Sequence, residues 1–275
     1  MIKSIIVKLY SSLINLNRCC LWYIDYLNFR FFCTPKKRKR VDKFQRALIL
    51  IPHADDEWVG CSCIINNVSD VLLVNVDMQG GDSGDLHKER LHELNKVADQ
   101  FNKTLTTLPF PKEESLRAIV DRFRPTHIYV PFFFDWHQEH IQTMFLLKDA
   151  LRSLTFNTTV AMYQVSLPII PEMVTHYIPM NKDTFVNKWK FFECIYKTQL
   201  GIPYKRFSIN EKINGAYVGS YAVEVFSYMT KDEWLRMIDD WTLTNEEMAL
   251  IKTNLQRIRK TRVLLKSFYN KRMEL

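Results

Sequence analysis

Glycine is scarce, with 7 in 275 residues, and the three that cluster, Gly80, Gly81 and Gly84, lack the spacing and helix context of a dinucleotide-binding fingerprint. Six cysteines make no framework either: Cys19 and Cys20 are adjacent, Cys33 and Cys194 stand alone, and Cys61-Ser-Cys63 has no second pair. They read as reduced thiols of a cytoplasmic protein, with Cys61 and Cys63 as small core residues rather than ligands. The apolar N-terminus offers no uncharged run near the 18 or so residues of a membrane span, because Lys3, Lys8, Arg18, Asp25 and Arg30 interrupt it. A small-residue cleavage site of the A-x-A kind is also missing. With 47% hydrophobic residues the chain is not disordered, and its length suits one sizeable globular domain with an appendage.

Charge is unevenly placed. Residues 1–46 hold 11 of the 38 Lys+Arg and 2 of the 30 Asp+Glu, a net +9, which leaves the remainder at −1. A nearly neutral body argues against nucleic acid as a partner. Within residues 1–33, Ile2, Ile5, Ile6, Leu9, Leu13, Leu16, Cys20, Ile24 and Leu27 fall within about a 100° arc of a helix, forming one apolar stripe. Aromatic bulk follows (Trp22, Tyr23, Tyr26, Phe29, Phe31, Phe32), and then Pro35-Lys-Lys-Arg-Lys-Arg40. One reading is an interfacial anchor on anionic lipid, peripheral at the inner face of the membrane. The other is a helix docked on the protein's own body or on a second subunit.

The chemistry concentrates in Ala47-Leu-Ile-Leu-Ile-Pro-His-Ala-Asp-Asp-Glu-Trp-Val-Gly60. Ala47 to Ile51 has the continuous apolarity of a strand buried on both faces, and Pro52 ends it. His53, Asp55, Asp56 and Glu57 then fall where a polar loop would lead into a helix, and acids in a first turn complement the helix dipole. Open α/β sheets build their sites just beyond such strand ends. A second polar group, Asp135-Trp-His-Gln-Glu-His140, follows another apolar run, Ile128–Phe134. If the two strands are neighbours, the two loops face each other. His53, Asp56 and either His137 or His140 then make a two-His, one-carboxylate set that leaves room for water on Zn²⁺.

These residues resemble a known family. His53-Ala-Asp-Asp-Glu57 is similar to the H-P-D-D-E box, and His137-Gln-Glu-His140 to the H-x-D-H box, of the LmbE/PIG-L-like zinc N-deacetylases. Further pieces follow in family order: Asp77–Gly81, Arg90-Leu-His-Glu93, Tyr196-Lys-Thr-Gln199 and Tyr221–Phe226. The resemblance implies metal ligands His53, Asp56 and His140, with Asp55 as general base. It implies that His137 stabilises an oxyanion or moves a proton, and that Arg90 contacts the substrate; the bland alternative for Arg90 is an ion pair with Glu93. Ala54 stands where the family has Pro, and Glu139 where it has Asp.

The expected fold is α/β, a three-layer Rossmann-like arrangement with a mostly parallel sheet, helices on both faces and an N-terminal amphipathic helix. Residues 1–44 would form that helix and a basic linker, 45–230 the deacetylase domain, and 231–275 a helical extension packed on it. Within this frame 71–76, 105–108 and 160–165 read as strands, while 87–101, 113–123 and 182–200 read as helices. Residues 201–219 read as irregular. A capping box at Thr244-Asn-Glu-Glu247 should open one helix running toward the end. The implied function is removal of the acetyl group from an N-acetylglucosamine-type conjugate, a glycolipid or envelope polysaccharide precursor, with one Zn²⁺ or Fe²⁺ per chain. A non-catalytic binding protein on the same fold, or a hydrolase of an ester, are the alternatives.

Overall fold

The structure, a computed structural model, describes residues 2–32, 37–42, 45–77, 84–110, 112–200 and 204–274, with side chains from residue 17 onward. Cys33, the start of the basic cluster at 35–36, and residues 78–81 of the glycine-bearing loop lie outside the described residues.

One eight-stranded sheet organises the chain: β1 (Lys39–Arg40), β2 (Arg46–Ile51), β3 (Asp70–Asn75), β4 (Thr104–Thr107), β5 (His127–Pro131), β6 (Thr159–Tyr163), β7 (His176–Met180) and β8 (Ala222–Thr230). Their order is β1-β7-β8-β6-β5-β2-β3-β4. All neighbours are parallel except β8, which runs against both β6 and β7. The sheet is thus mostly parallel, as the buried apolar runs imply. Alternate residues of each strand enter different cores. Leu48, Leu50, Leu72, Val74, Ile128 and Val130 face one, and Ala47, Ile49, Ile51, Val71, Leu73 and Tyr129 the other.

The first core is closed by α4 (Lys112–Phe123), α5 (Gln138–Arg152), α8 (Lys231–Trp241), α9 (Asn245–Asn254) and α10 (Ile258–Met273). The second is closed by α2 (Asp56–Asn67), α3 (Asp85–Gln100) and α6 (Lys182–Ile195). This is the three-layer arrangement. Gly60 lets α2 lie close on β6, because a Cβ there would collide with the Tyr163 ring and come 3.1 Å from the Gln164 carbonyl oxygen.

Several elements differ from the sequence-based expectation. Residues 204–218 are not irregular but form helix α7 (Tyr204–Val218), packed on β8. Its buried side includes Arg206, Asn210, Glu211 and Asn214, so the apolar period that signals a helix is absent. The apolar run 128–134 leaves the ladder at Pro131; Phe132, Phe133 and Phe134 stay buried as a loop, the last two against Trp241. The Thr244–Glu247 capping box forms, but its helix ends at Asn254 and α10 begins at Ile258. A second capping box, Thr230 with Glu233, opens α8.

The N-terminal helix, α1 (Ile2–Phe32), lies outside the sheet layers and touches α7 and α10. Trp22, Tyr26 and Phe29 make the contact, packed with Ile213 and Ile258. The Trp22 indole donates to the Gln256 carbonyl at 2.8 Å, and Asp25 accepts from the Arg259 amide at 3.1 Å. The docked-helix reading therefore holds for the described side chains. The stripe that motivated the lipid reading points elsewhere: Cys20, Ile24 and Leu27 are exposed, as are Leu21, Phe31 and Phe32. Among the described residues no helix is long and apolar enough to cross a membrane.

Candidate metal centre and active site

Strands β2 and β5 are direct parallel neighbours, with Ala47 opposite His127 and Ile49 opposite Tyr129. The loops that follow them therefore open at the same edge of the sheet. Beyond β2 the chain turns sharply into α2, and Asp55, at the N-cap, has φ 134°. That left-handed conformation is costly for a residue with a Cβ, and such strain gathers at functional sites. The turn is held by Asp56 N–H to the His53 carbonyl (3.1 Å) and by Asp55 N–H to Glu57 Oε2 (3.1 Å). Glu57 in turn accepts from the Tyr196 hydroxyl. Burial pushes the Glu57 carboxyl up to about 7, against the pull of that hydroxyl and of backbone amides.

The turn and the start of α5 bring three donor atoms into a nearly equilateral triangle. His53 Nδ1 lies 3.2 Å from Asp56 Oδ2 and 3.2 Å from His140 Nε2, and His140 Nε2 lies 3.2 Å from Asp56 Oδ2. A tetrahedral ion about 2.0–2.1 Å from each donor spaces its ligands by about 3.3 Å, so the residues fit such an ion without rearrangement. His140 Nδ1 meets Asp135 Oδ2 at 2.8 Å, which fixes the ring and leaves Nε2 for the centre. Burial works against charge on both Asp56 and His140. Their mutual attraction prevails, holding the Asp56 carboxyl well below the carboxylate range and, with Asp135, raising the His140 imidazole well above its ordinary value.

The imidazoles of His53, His137 and His140 also lie within 4.8 Å of one another. They are a second donor set, looser than the triangle that Asp56 closes. His137 Nδ1 is engaged by Glu139 Oε2 at 2.7 Å. Partial burial notwithstanding, backbone hydrogen bonding and His137 keep the Glu139 carboxyl below its usual range. Burial, with His140 and His53 nearby, lowers His137. A neutral His137 donating from Nδ1 to the Glu139 carboxylate keeps Nε2 as an acceptor. The glutamate thus orients its histidine despite the extra methylene.

Asp55 is buried beside this centre. Burial, then repulsion from Asp56 and Glu57, raises its carboxyl well above the ordinary value, while His140 and Arg90 pull it back. Arg90 does not pair with Glu93. Glu93 is buried and accepts from the Thr198 amide (2.9 Å) and hydroxyl (2.6 Å), whereas Arg90 lines the same cavity as Asp55. That cavity, about 510 Å³, gathers His53, Asp55, Asp56, Arg90, His137 and His140. All six residues singled out in the sequence therefore share one chamber.

Sequence reasoning missed part of the wall. Trp136, from the loop between β5 and α5, lines the cavity with Arg206, Phe207, Leu255 and Gln256, which α7 and the α9–α10 junction bring there and no motif marks. Asp135 had a signal, since it lies two residues before His137. His87, which read as an ordinary histidine, sits 3.7 Å from Asp77 Oδ2 beside His53 and Arg90. Gln199 lines the cavity, Tyr196 supports Glu57, and Glu224 belongs to a buried ion network with Lys188. The described cysteines form no disulfide, and burial raises Cys61 and Cys63 well above the ordinary thiol value, so they pack as neutral thiols.

The sequence matches no protein-family model and no curated protein. The fold has relatives of known structure. One is the conserved protein TT1542 from Thermus thermophilus, with 18% identity, TM-score 0.53, 66% of this chain and 94% of that one. Another is the zinc-inhibited form of the teicoplanin deacetylase Orf2, with 14% identity, TM-score 0.50, 68% of this chain and 99% of that one. A third is the A40926 pseudoaglycone deacetylase Dbv21, with 14% identity, TM-score 0.50, 69% and 98%. At such identities the likeness is one of fold.

Proposed function

We propose that this chain is a metal-dependent hydrolase of the LmbE/PIG-L-like kind that removes the acetyl group from an N-acetylglucosamine-type conjugate. The observation that carries this reading is the 3.2 Å triangle of His53, Asp56 and His140 beside an unligated acid, Asp55. Two relatives of the fold bear the name deacetylase, which supports the reaction type. His53, Asp56 and His140 would hold one Zn²⁺ or Fe²⁺. Such an ion supplies Lewis acidity, polarising an acyl carbonyl and acidifying water.

The chain's own groups supply the rest. Asp55, buried on the chamber wall beside the three donors, takes the proton of the attacking water and returns it toward the departing amine. His137 Nε2, an acceptor while Glu139 holds Nδ1–H, is better arranged to relay that proton than to donate to an oxyanion in its neutral form. Arg90 faces the sugar. The products are acetate and a free amino sugar conjugate. The test is metal content together with acetate release from a panel of N-acetylglucosamine conjugates. About one ion per chain with acetate release is expected, and His140→Ala should lose both. No binding after Zn²⁺ is supplied would leave a non-catalytic protein on this fold. Binding with release from esters alone would make it an esterase.

We also propose that the outward stripe of α1 rests on an anionic membrane surface. Two faces support this: an aromatic one docked on α7 and α10, and an exposed one bearing Leu21, Ile24, Leu27, Phe31 and Phe32 beside exposed Arg18 and Arg30. Co-sedimentation with phosphatidylserine vesicles should weaken as salt rises. Ile24→Glu with Phe31→Glu should reduce vesicle binding about tenfold or more while leaving the melting temperature unchanged. Unchanged vesicle binding in that variant would refute it.

A further inference from the structure

Arg206 is 5% exposed, lines the cavity, and comes from α7, an element that contributes nothing to the metal centre. Its two terminal nitrogens donate to carbonyls, Nη1 to Leu255 at 2.7 Å and Nη2 to Ser166 at 3.1 Å, while its Nε–H is buried with no acceptor. A guanidinium carries five N–H donors, so most of its capacity is unspent. Two other buried cations are compensated by carboxylates: Lys188 meets Glu211 and Glu224, and Lys148 meets Asp239. Among the described residues Arg206 has no carboxylate within ion-pair distance. Asp135 attracts it from beyond that distance, and a buried charge so thinly compensated is costly unless a partner arrives from outside.

The surroundings repeat the pattern. Gln256 Oε1 and Trp136 Nε1, which belong to the same wall, are also buried without partners. Unmet donors and an unmet acceptor around an apolar floor of Phe207 and Leu255 suit a ligand bearing hydroxyls as well as negative charge. The fixed fork of an arginine matches the paired oxygens of a phosphate or carboxylate.

We infer that Arg206 is a specificity-determining residue, receiving an anionic group, phosphate or carboxylate, carried by the sugar substrate. This rests on the amino-sugar hydrolase reading above. The chamber then sorts its ligands twice, by the acylated nitrogen at the metal centre and by the negative group at α7.

Isothermal titration calorimetry with the Zn²⁺-loaded Asp55→Asn protein tests it, with N-acetylglucosamine, N-acetylglucosamine 1-phosphate and N-acetylmuramic acid as probes. At least one charged sugar should bind about tenfold more tightly than the neutral one, and which one does so separates phosphate from carboxylate. Arg206→Gln in that background should bring the ratio to about one, and Arg206→Lys, which keeps the charge but not the fork, should keep only part of it. A ratio near one before Arg206 is altered, or a ratio unmoved by Arg206→Gln, overturns the proposal. So does a ratio lost equally with Gln and Lys, which would make Arg206 only a strap between α7 and residue 255. A ratio abolished by Arg90→Gln but not by Arg206→Gln would place the anion at Arg90 instead. Binding is read without turnover, so a failure of acetate release on every substrate removes the hydrolase reading and is seen separately.

Discussion

Asp55→Asn should keep its metal and lose about 10²–10⁴-fold in turnover, the range that a positioned general base contributes. The amide matches the carboxylate in size and cannot take a proton. It also suits the backbone: Asp55 sits at φ 134°, and asparagine is among the residues that best tolerate positive φ. The variant therefore isolates proton transfer from folding, which Asp55→Ala would not. Metal content by elemental analysis and steady-state acetate release are the measurements. Turnover within tenfold of the parent would take Asp55 out of the base role, and loss of metal would place it among the ligands instead.

Lys188→Met should destabilise the fold by about 3–5 kcal/mol, the usual consequence of removing one member of a buried ion group. Lys188 Nζ lies 2.5 Å from Glu211 Oε1, 2.6 Å from Glu224 Oε1 and 2.8 Å from the Val59 carbonyl. Glu224 also accepts from the Ser62 hydroxyl and the Cys63 amide, and Glu211 from the Trp189 indole. One ammonium thus ties α6, α7 and β8 to the helix that begins at Asp56. Burial pushes Glu211 up to about 7, Glu224 adding to the rise and Lys188 opposing it. Without Lys188 the Glu211 carboxyl would hold its proton still more tightly in the folded state than in the unfolded one. Stability linked to that protonation is present at low pH and lost as pH rises through the folded value. The deficit should therefore shrink toward the ordinary carboxylate range and grow above about pH 7. Urea unfolding at two pH values measures it, and adding Glu211→Gln and Glu224→Gln should recover much of the loss. A deficit under about 1 kcal/mol at pH 8 would show that the network carries little.

What could be read in advance divides along physical lines. Ala47–Ile51 and Val71–Val76 were legible because strands buried on both faces need unbroken apolar runs, and β2 and β3 fall there. The polar clusters at 53–57 and 135–140 stood out because each follows such a run. Their meeting was only conditional until the β2–β5 pairing placed both at one edge. Helix α7 was illegible for the opposite reason. Its inward face is polar, each group answered by a distant partner: Glu211 by Lys188, and Asn210 and Asn214 by Arg262. Pairings across 23 to 52 residues leave no local period to detect. The same holds for Arg206 and Gln256, whose place in the cavity depends on where α7 and the α9–α10 junction come to rest. On α1 the apolar stripe was visible, but the docking face proved to be the aromatic one.

That docking has a temporal side. Trp22 and Gln256 are separated by 234 residues, as are Asp25 and Arg259. During synthesis α1 leaves the ribosome long before the surface that receives it exists. Its aromatic face is not fully covered until the whole sheet has been translated, at about 5–20 residues per second. For that interval the helix is a nascent segment with apolar residues on two sides, open to capture by a chaperone. Docking follows the synthesis of the segment carrying Leu255 and Gln256, which gains its hold from α1 only then. The cavity wall is completed only once residues 255 and 256 have been made, so a chain stalled short of residue 256 would have the His53, Asp56 and His140 triangle but an unfinished chamber.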